Sequence, residues 1–292
     1  MDAFFTDYKK MFHRYNIVTK LIIINLVVFI VLRLGSVLAT LFNLDVVSLL
    51  QALEVPSSLN LLVLRPWTLF TYMFAHYDVW HILFNMLWLY WFGQLFLYFF
   101  TPRQFVGVYL LGGLSGALLF ILAYNTFPYF ASITESSYLM GASASVMAIV
   151  FAVAFYKRDY EISLFLIGRI KLIYLALFTV LLDLLMLTSS NAGGHIAHIG
   201  GALFGIYFAN RMQRGHDKTA WLNRILDKIA NWFKPKPKMK VTHRRNETDL
   251  EYNTRKRSES EEVDRILDKL KKSGYDSLTA EERRKLFDAS KK

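Results

Sequence analysis

Six apolar runs, each near the length that crosses a bilayer, fall within residues 17–211 and leave few architectures open. A spanning helix needs roughly 20 mainly apolar residues. The runs read as helices at about 17–34, 81–100, 104–124, 141–156, 170–188 and 195–211. The fourth and sixth are short for a full crossing. The expected fold class is all-α: a polytopic membrane protein with a six-transmembrane-helix core and a cytoplasmic C-terminal tail.

Charge placement supports this division. Apolar residues make up 54% of the chain and charged residues 20%. Only 11 of the 34 Lys and Arg lie in residues 1–210, so the net charge of +11 belongs mainly to the tail. A single soluble domain is excluded. The basic excess sits just beyond membrane-length segments, where Lys and Arg act as topology signals, so a nucleic-acid partner is not expected. Lys9, Lys10, Arg14, Lys20, Arg103, Lys157, Arg158, Arg169 and Lys171 collect on one side, against Arg33 and Arg65 on the other. Both termini are therefore expected in the cytoplasm, with a prokaryotic inner membrane as the expected location. The hydrophilic start, with no small-residue cleavage site after the first run, reads as a retained signal anchor. The absence of cysteine excludes disulfides, zinc–thiolate sites and thiol nucleophiles.

Four regions follow: a cytoplasmic segment 1–16, the core 17–211, a basic linker 212–258 and a small helical hairpin 259–292. Residues 35–80 form an apolar external loop expected as amphipathic helix in the interface. Lys234-Pro235-Lys236-Pro237-Lys238 reads as extended linker, and 241–258 as disordered. Val263, Ile266, Leu267 and Leu270 then recur at helical spacing, and Thr279 with Glu282 makes a capping box.

Polar residues inside a bilayer are costly and mark function. Their depths follow from counting at about 1.5 Å per residue from the cytoplasmic anchors. Ser143 lies about 21 Å above Lys157, His198 about 20 Å above Arg211, and Asn85 about 24 Å above Thr101. His81 is one turn above Asn85 on the same face. Four polar groups on three helices thus share the outer half of the membrane. A neutral imidazole can take the proton of a serine hydroxyl, so Ser143 and His198 are the candidate catalytic pair. No acidic third member is apparent beside them, and a dyad is expected. Ser143 opens a helix, where unpaired N–H groups favour an oxyanion. His81 and Asn85 add side-chain donors.

Ser145 competes with Ser143 but lies about 200° round the helix. His195 competes with His198, one turn nearer the surface. His76 and His81 with His195 and His198 do not make a zinc site, because no carboxylate accompanies them at comparable depth. No metal and no cofactor are expected. Asp183, inside the fifth span, reads as a structural acid capping an internal hydrogen-bond network. Ala144, Ala148 and Ala152 form a small stripe facing Gly201 and Gly205, while Gly112 and Gly116 give the third span a similar surface.

These residues resemble the rhomboid intramembrane serine proteases. His76-Tyr-Asp-Val-Trp-His81-Ile-Leu-Phe-Asn85 matches the pattern H-x4-H-x3-N, Gly141-Ala-Ser143-Ala the block G-x-S-x, and Ala197-His198-Ile-Gly-Gly201-Ala-Leu-Phe-Gly205 the block A-H-x-x-G-x-x-x-G. The resemblance covers about residues 15–210. It implies a six-helix rhomboid core that cleaves single-span transmembrane substrates near their outer ends, with Ser143 as nucleophile, His198 as base and His81 and Asn85 at the oxyanion site. It also implies a structured first loop and a gating role for the fifth helix. Two positions depart from the pattern. Arg65-Pro66-Trp67-Thr68 stands where members often have Trp-Arg, and Met147 stands where some place a tyrosine against the histidine. The alternative reading is a catalytically inactive rhomboid-like binding or quality-control factor; a solute transporter is disfavoured because no repeated broken helices are visible.

Overall fold

The helices opening at Ile17, Val79 and Pro102 each begin where a polar side chain closes the first turn. The computed structural model describes residues 15–164, 168–232 and 248–290. Helix α1 (Ile17–Leu41) starts at Asn16, whose side chain accepts from the Thr19 N–H at 2.9 Å. The first loop carries short helices α2 (Val46–Gln51), α3 (Leu59–Leu64) and α4 (Thr68–Thr71), with strand β1 (Val55–Pro56) between α2 and α3. Helix α5 (Val79–Phe99) is capped by Asp78, and α6 (Pro102–Thr126) by a capping box of Thr101 and Gln104 with Pro102 in its first turn. After strand β2 (Tyr138–Leu139) come α7 (Ser143–Tyr156), the hairpin strands β3 (Glu161–Leu164) and β4 (Gly168–Lys171), α8 (Leu172–Leu185) and α9 (Ala192–Gln213). Helices α1, α5 and α6 are long and apolar enough to cross a membrane; α7 and α8 are shorter apolar helices. The fold is mostly helical and of polytopic membrane type.

The six helices stand at the six expected spans, with shifted ends. Helix α1 runs seven residues past the expected end at 34, and Arg33 in its outer part stacks 4.5 Å above the Tyr77 ring. The antiparallel hairpin β3–β4 occupies part of what read as a bare loop and the start of span five. The outward faces of α1 (Val27, Ile30, Val31, Leu34) and α8 (Phe178, Leu181, Leu185) are exposed and apolar. That surface is unfavourable in water and suited to lipid.

The interior is held by close backbone approach and a few satisfied polar groups. A Cβ at Gly201 would collide with the Ala144 carbonyl, and one at Gly205 with the Ala148 carbonyl; at Gly116 it would meet the Ala144 methyl at 2.6 Å and the Ala197 carbonyl oxygen at 2.8 Å. Helices α6, α7 and α9 therefore pack along the small-residue stripes seen in the sequence, and the Ser115 hydroxyl donates to the Gly200 carbonyl at 2.8 Å. In hydrocarbon such contact replaces the hydrophobic drive between helices. Gly201→Val should cost at least about 2 kcal/mol of overpacking, read as a lower unfolding midpoint in detergent against wild type.

The first loop is tied down by side chains. Arg65 donates to the Gln51 carbonyl (3.3 Å), Trp67 Nε1 to that of Ala52 (2.8 Å) and Thr71 to that of Leu53 (2.9 Å). Displaced from the usual register, Arg65 and Trp67 still anchor the loop. Beneath it, the Tyr72 hydroxyl donates to the Gly113 carbonyl (2.6 Å) and the Tyr109 hydroxyl to that of Met73 (2.8 Å).

Two parts of the expected linker 212–258 are helical instead. Helix α10 (Ala220–Trp232) places Trp221, Leu222, Ile225, Ile229 and Trp232 on one face, a pattern suited to a membrane surface, and Asp227 pairs with Arg103 at 3.5 Å. Helix α11 (Asp249–Ser273) begins inside the stretch read as disordered. Its cause is a capping box, Thr248 with Glu251, reinforced by i,i+4 pairs Arg255–Glu259 (3.7 Å) and Arg257–Glu261 (3.1 Å). The segment 1–14 and the Lys-Pro linker lie outside the described residues.

The described residues 248–290 belong to a separate compact unit. In it α11 turns at Gly274 (φ +78°) into α12 (Ala280–Ala289), opened by the Thr279–Glu282 capping box. Lys269–Glu282 (2.9 Å) and Lys285–Glu262 (2.7 Å) join the two helices, with Ile266 and Leu278 buried. The Thr279 backbone N–H and then Lys269 hold the Glu282 carboxyl below its ordinary value near 4.5. A lowered folded-state value contributes stability above the unfolded value and loses it as pH falls. Amide protection of Ala280–Ala289 should therefore decline as pH drops below about 4.5, and Glu282→Gln should flatten that decline.

Candidate active site

The serine loop is shaped from three sides. Strand β2 pairs antiparallel with β1, Val55 opposite Leu139 and Pro56 opposite Tyr138, which ties the first loop to the approach of α7. Gly141 follows with φ +117°, a backbone region that favours glycine. A Cβ there would meet the His81 ring at 2.7 Å, so His81 lies directly over this turn. The Gly141 N–H donates to the Tyr72 carbonyl (2.9 Å) and the Ala142 N–H to His76 Nε2 (3.3 Å). The first helical bond of α7 runs from Val146 to the Ala142 carbonyl. The amides of Ser143, Ala144 and Ser145 therefore precede the intrahelical ladder, as at any helix N-terminus.

His76 is the residue whose task the sequence left blank. Its side chain is fully buried and packs edge-on against His81, ring centroids 5.1 Å apart. By accepting from Ala142 it leaves Ser143 as the first amide free to serve a ligand. On the same helix as Ser143, Ser145 is buried against α6 and its hydroxyl has no partner. Ser143 is only half-buried.

One cavity of about 400 Å³ gathers the candidates. Ser143, His198, His81 and Asn85 all line it, together with Met147, Asp183 and His195. Asp78 accepts from the His81 N–H at 2.9 Å, which sets the first turn of α5, and Asn85 lies one turn deeper. The Asn85 amide donates to the His81 carbonyl at 3.0 Å and retains a second N–H.

The acid is where the sequence reading changes. Asp183, near the end of α8, is buried, and its Oδ1 accepts from His198 Nδ1 at 2.9 Å and from His195 Nδ1 at 2.8 Å. A carboxylate only accepts, so these contacts suit imidazoles that donate from Nδ1, and a neutral ring of that tautomer presents a bare Nε2. The expected absence of an acid beside the histidine is thus corrected. Asp183 does sit in an internal hydrogen-bond network, as expected, but the network includes His198. The argument against a metal loses its premise too, since a carboxylate stands at the depth of His195 and His198. Asp183 lies 12 residues beyond Lys171, about 18 Å up and so at a depth comparable to His198. Met147 packs in the cavity wall without offering a hydroxyl, and the orienting contact to His198 comes from Asp183 instead.

Comparisons with known proteins bear on the family. A family model described as a rhomboid domain matches residues 64–214. A second, described as a family of unknown function (DUF6576), matches 246–292. Similar proteins include RHOMBOID-like protein 12, mitochondrial, of Arabidopsis thaliana, 27% identical over 160 residues, covering 52% of this chain and 48% of that one. Presenilin-associated rhomboid-like protein, mitochondrial, of Mus musculus is 28% identical over 164 residues, covering 52% and 38%. The human protein of the same name is 27% identical over the same coverage. The matched region spans half or less of these relatives. With a family model over more than half its length and the serine and histidine blocks on one cavity, the chain belongs to the rhomboid family.

Proposed function

We propose that this protein is an intramembrane serine endopeptidase that hydrolyses transmembrane substrates near the outer membrane interface. The observation that carries the reading is the shared cavity of Ser143 and His198, with His198 Nδ1 held by Asp183. His198 Nε2 takes the Ser143 proton as Oγ attacks the scissile carbonyl. The tetrahedral oxyanion is stabilised by the Ser143 amide, His81 and Asn85. His198 then gives its proton to the leaving amine, and water releases the acyl enzyme by the same path. Asp183 acts through His198 as a positioning residue, holding the tautomer in which Nε2 is a base.

Substrates are single-span proteins whose outer ends have small residues and weak helix propensity, because an extended peptide bond must reach Ser143. The lipid bilayer is the second partner. The charge bias places both termini on the basic, cytoplasm-like side, a prokaryotic inner membrane being our reading from charge alone. The curated relatives carry mitochondrial names, which weighs against tying the protein to that compartment. The test is cleavage of single-span substrates in proteoliposomes, with products identified by mass. Stable client binding without product would instead favour an inactive rhomboid-like factor. Asn85→Ala should lower kcat by about 10²-fold with KM little changed, as expected for a lost oxyanion donor, measured on the same substrate.

A further inference from the structure

Asp183, His195 and His198 bring three ligating atoms within 4.8 Å of one another. Both imidazoles converge through Nδ1 on one carboxyl oxygen, at 2.8 and 2.9 Å. The other oxygen, Asp183 Oδ2, is buried and has no hydrogen-bond partner, although the residue is only 5% exposed. A buried polar oxygen left unpaired costs free energy that a ligand would recover. All three side chains line the cavity, which leaves room for water or a further ligand on its open side.

We propose that Asp183, His195 and His198 form an inhibitory site for a borderline divalent transition metal, Zn²⁺ above all. Two imidazole nitrogens and one carboxylate make the three-protein-ligand set of open zinc sites, with metal–ligand distances of about 2.0–2.2 Å. The nitrogen content favours Zn²⁺ or Co²⁺ over Ca²⁺ and Mg²⁺, which want oxygen. The two N···O contacts open by roughly half an ångström to admit the ion, and Oδ2 gains a partner. Each neutral imidazole keeps its single proton, which moves from Nδ1 to Nε2 as Nδ1 gives its lone pair to the metal; nothing is oxidised or reduced. His198 Nε2 then donates and no longer accepts, so it cannot take the Ser143 proton. Metal binding stands independently of proteolysis; its inhibitory consequence rests on the protease reading above.

The binding test uses tag-free, EDTA-stripped Ser143→Ala protein, titrated with Co²⁺ in detergent. Visible ligand-field bands of a low-coordinate Co²⁺ site should saturate at one ion per chain and be displaced by Zn²⁺. His195→Ala in this background should abolish the bands, and His216→Ala should keep them. His195→Gln, which preserves a polar side chain of similar bulk, is run alongside with size-exclusion profiles to separate lost ligation from misfolding. In the active chain, Zn²⁺ should inhibit at least tenfold and reversibly with EDTA. The inhibition constant should weaken at least tenfold in His195→Gln, each variant scaled to its own activity in EDTA. No Co²⁺ bands, bands that survive both His195 variants, or equal Zn²⁺ inhibition in His195→Gln would overturn the site. Bands without any cleavage in the unsubstituted chain would leave the site standing and sink the protease reading.

Discussion

Ser143→Ala should abolish cleavage, with kcat falling by about 10⁴-fold or more, and should end labelling by a serine-reactive fluorophosphonate. Removing the nucleophile of a serine hydrolase leaves only what binding and the oxyanion donors supply. Ser143 is half-buried on the cavity and opens α7 with its amide ahead of the helical ladder, so the deleted hydroxyl is the proposed nucleophile. Ser145→Ala is the matched control. That hydroxyl is buried against Gly113 on α6, where a Cβ would meet it at 2.6 Å, and its loss should leave labelling within about twofold of wild type, since an unpartnered buried hydroxyl contributes no bond to lose. Cleavage persisting in Ser143→Ala would remove the assignment whatever the family.

Asp183→Asn should lower kcat by about 10²–10⁴-fold with KM little changed. The magnitude follows from serine hydrolases in which the equivalent acid becomes an amide and the histidine takes the wrong tautomer. An Asn side chain can donate to Nδ1, which drives the ring proton to Nε2 and removes the base. Loss of kcat at unchanged KM, with rescue by the conservative acid, separates this from simple damage. Asp183→Glu should recover part of the rate. A rate equal to wild type in Asp183→Asn would make Asp183 structural only.

The path from residues to fold was open wherever a local pattern had one physical meaning. Apolar length located six helices, because hydrocarbon tolerates little else. The Ala144/Ala148 and Gly201/Gly205 stripes foretold the α7–α9 contact, because only small residues allow that approach. Depth counting put Ser143, His198, His81 and Asn85 at one level. Depth alone does not join Asp183 to them, because the face of α8 that meets α9 is set by packing. In the tail, the charge-rich stretch 249–258 read as disordered, yet Thr248 and Glu251 already spelled a capping box.

What the sequence by itself determined was the class: an apolar polytopic core, its charge asymmetry, a serine and a histidine at one depth, and a mechanism without thiols. Tertiary structure decided the rest, because depth along a helix follows from a count while azimuth and crossing follow from packing. Residues on α8 and α9 meet across a short turn, and no local period states which faces oppose each other. Only there does Asp183 reach both His195 and His198, converting an expected dyad into a histidine held by a buried acid.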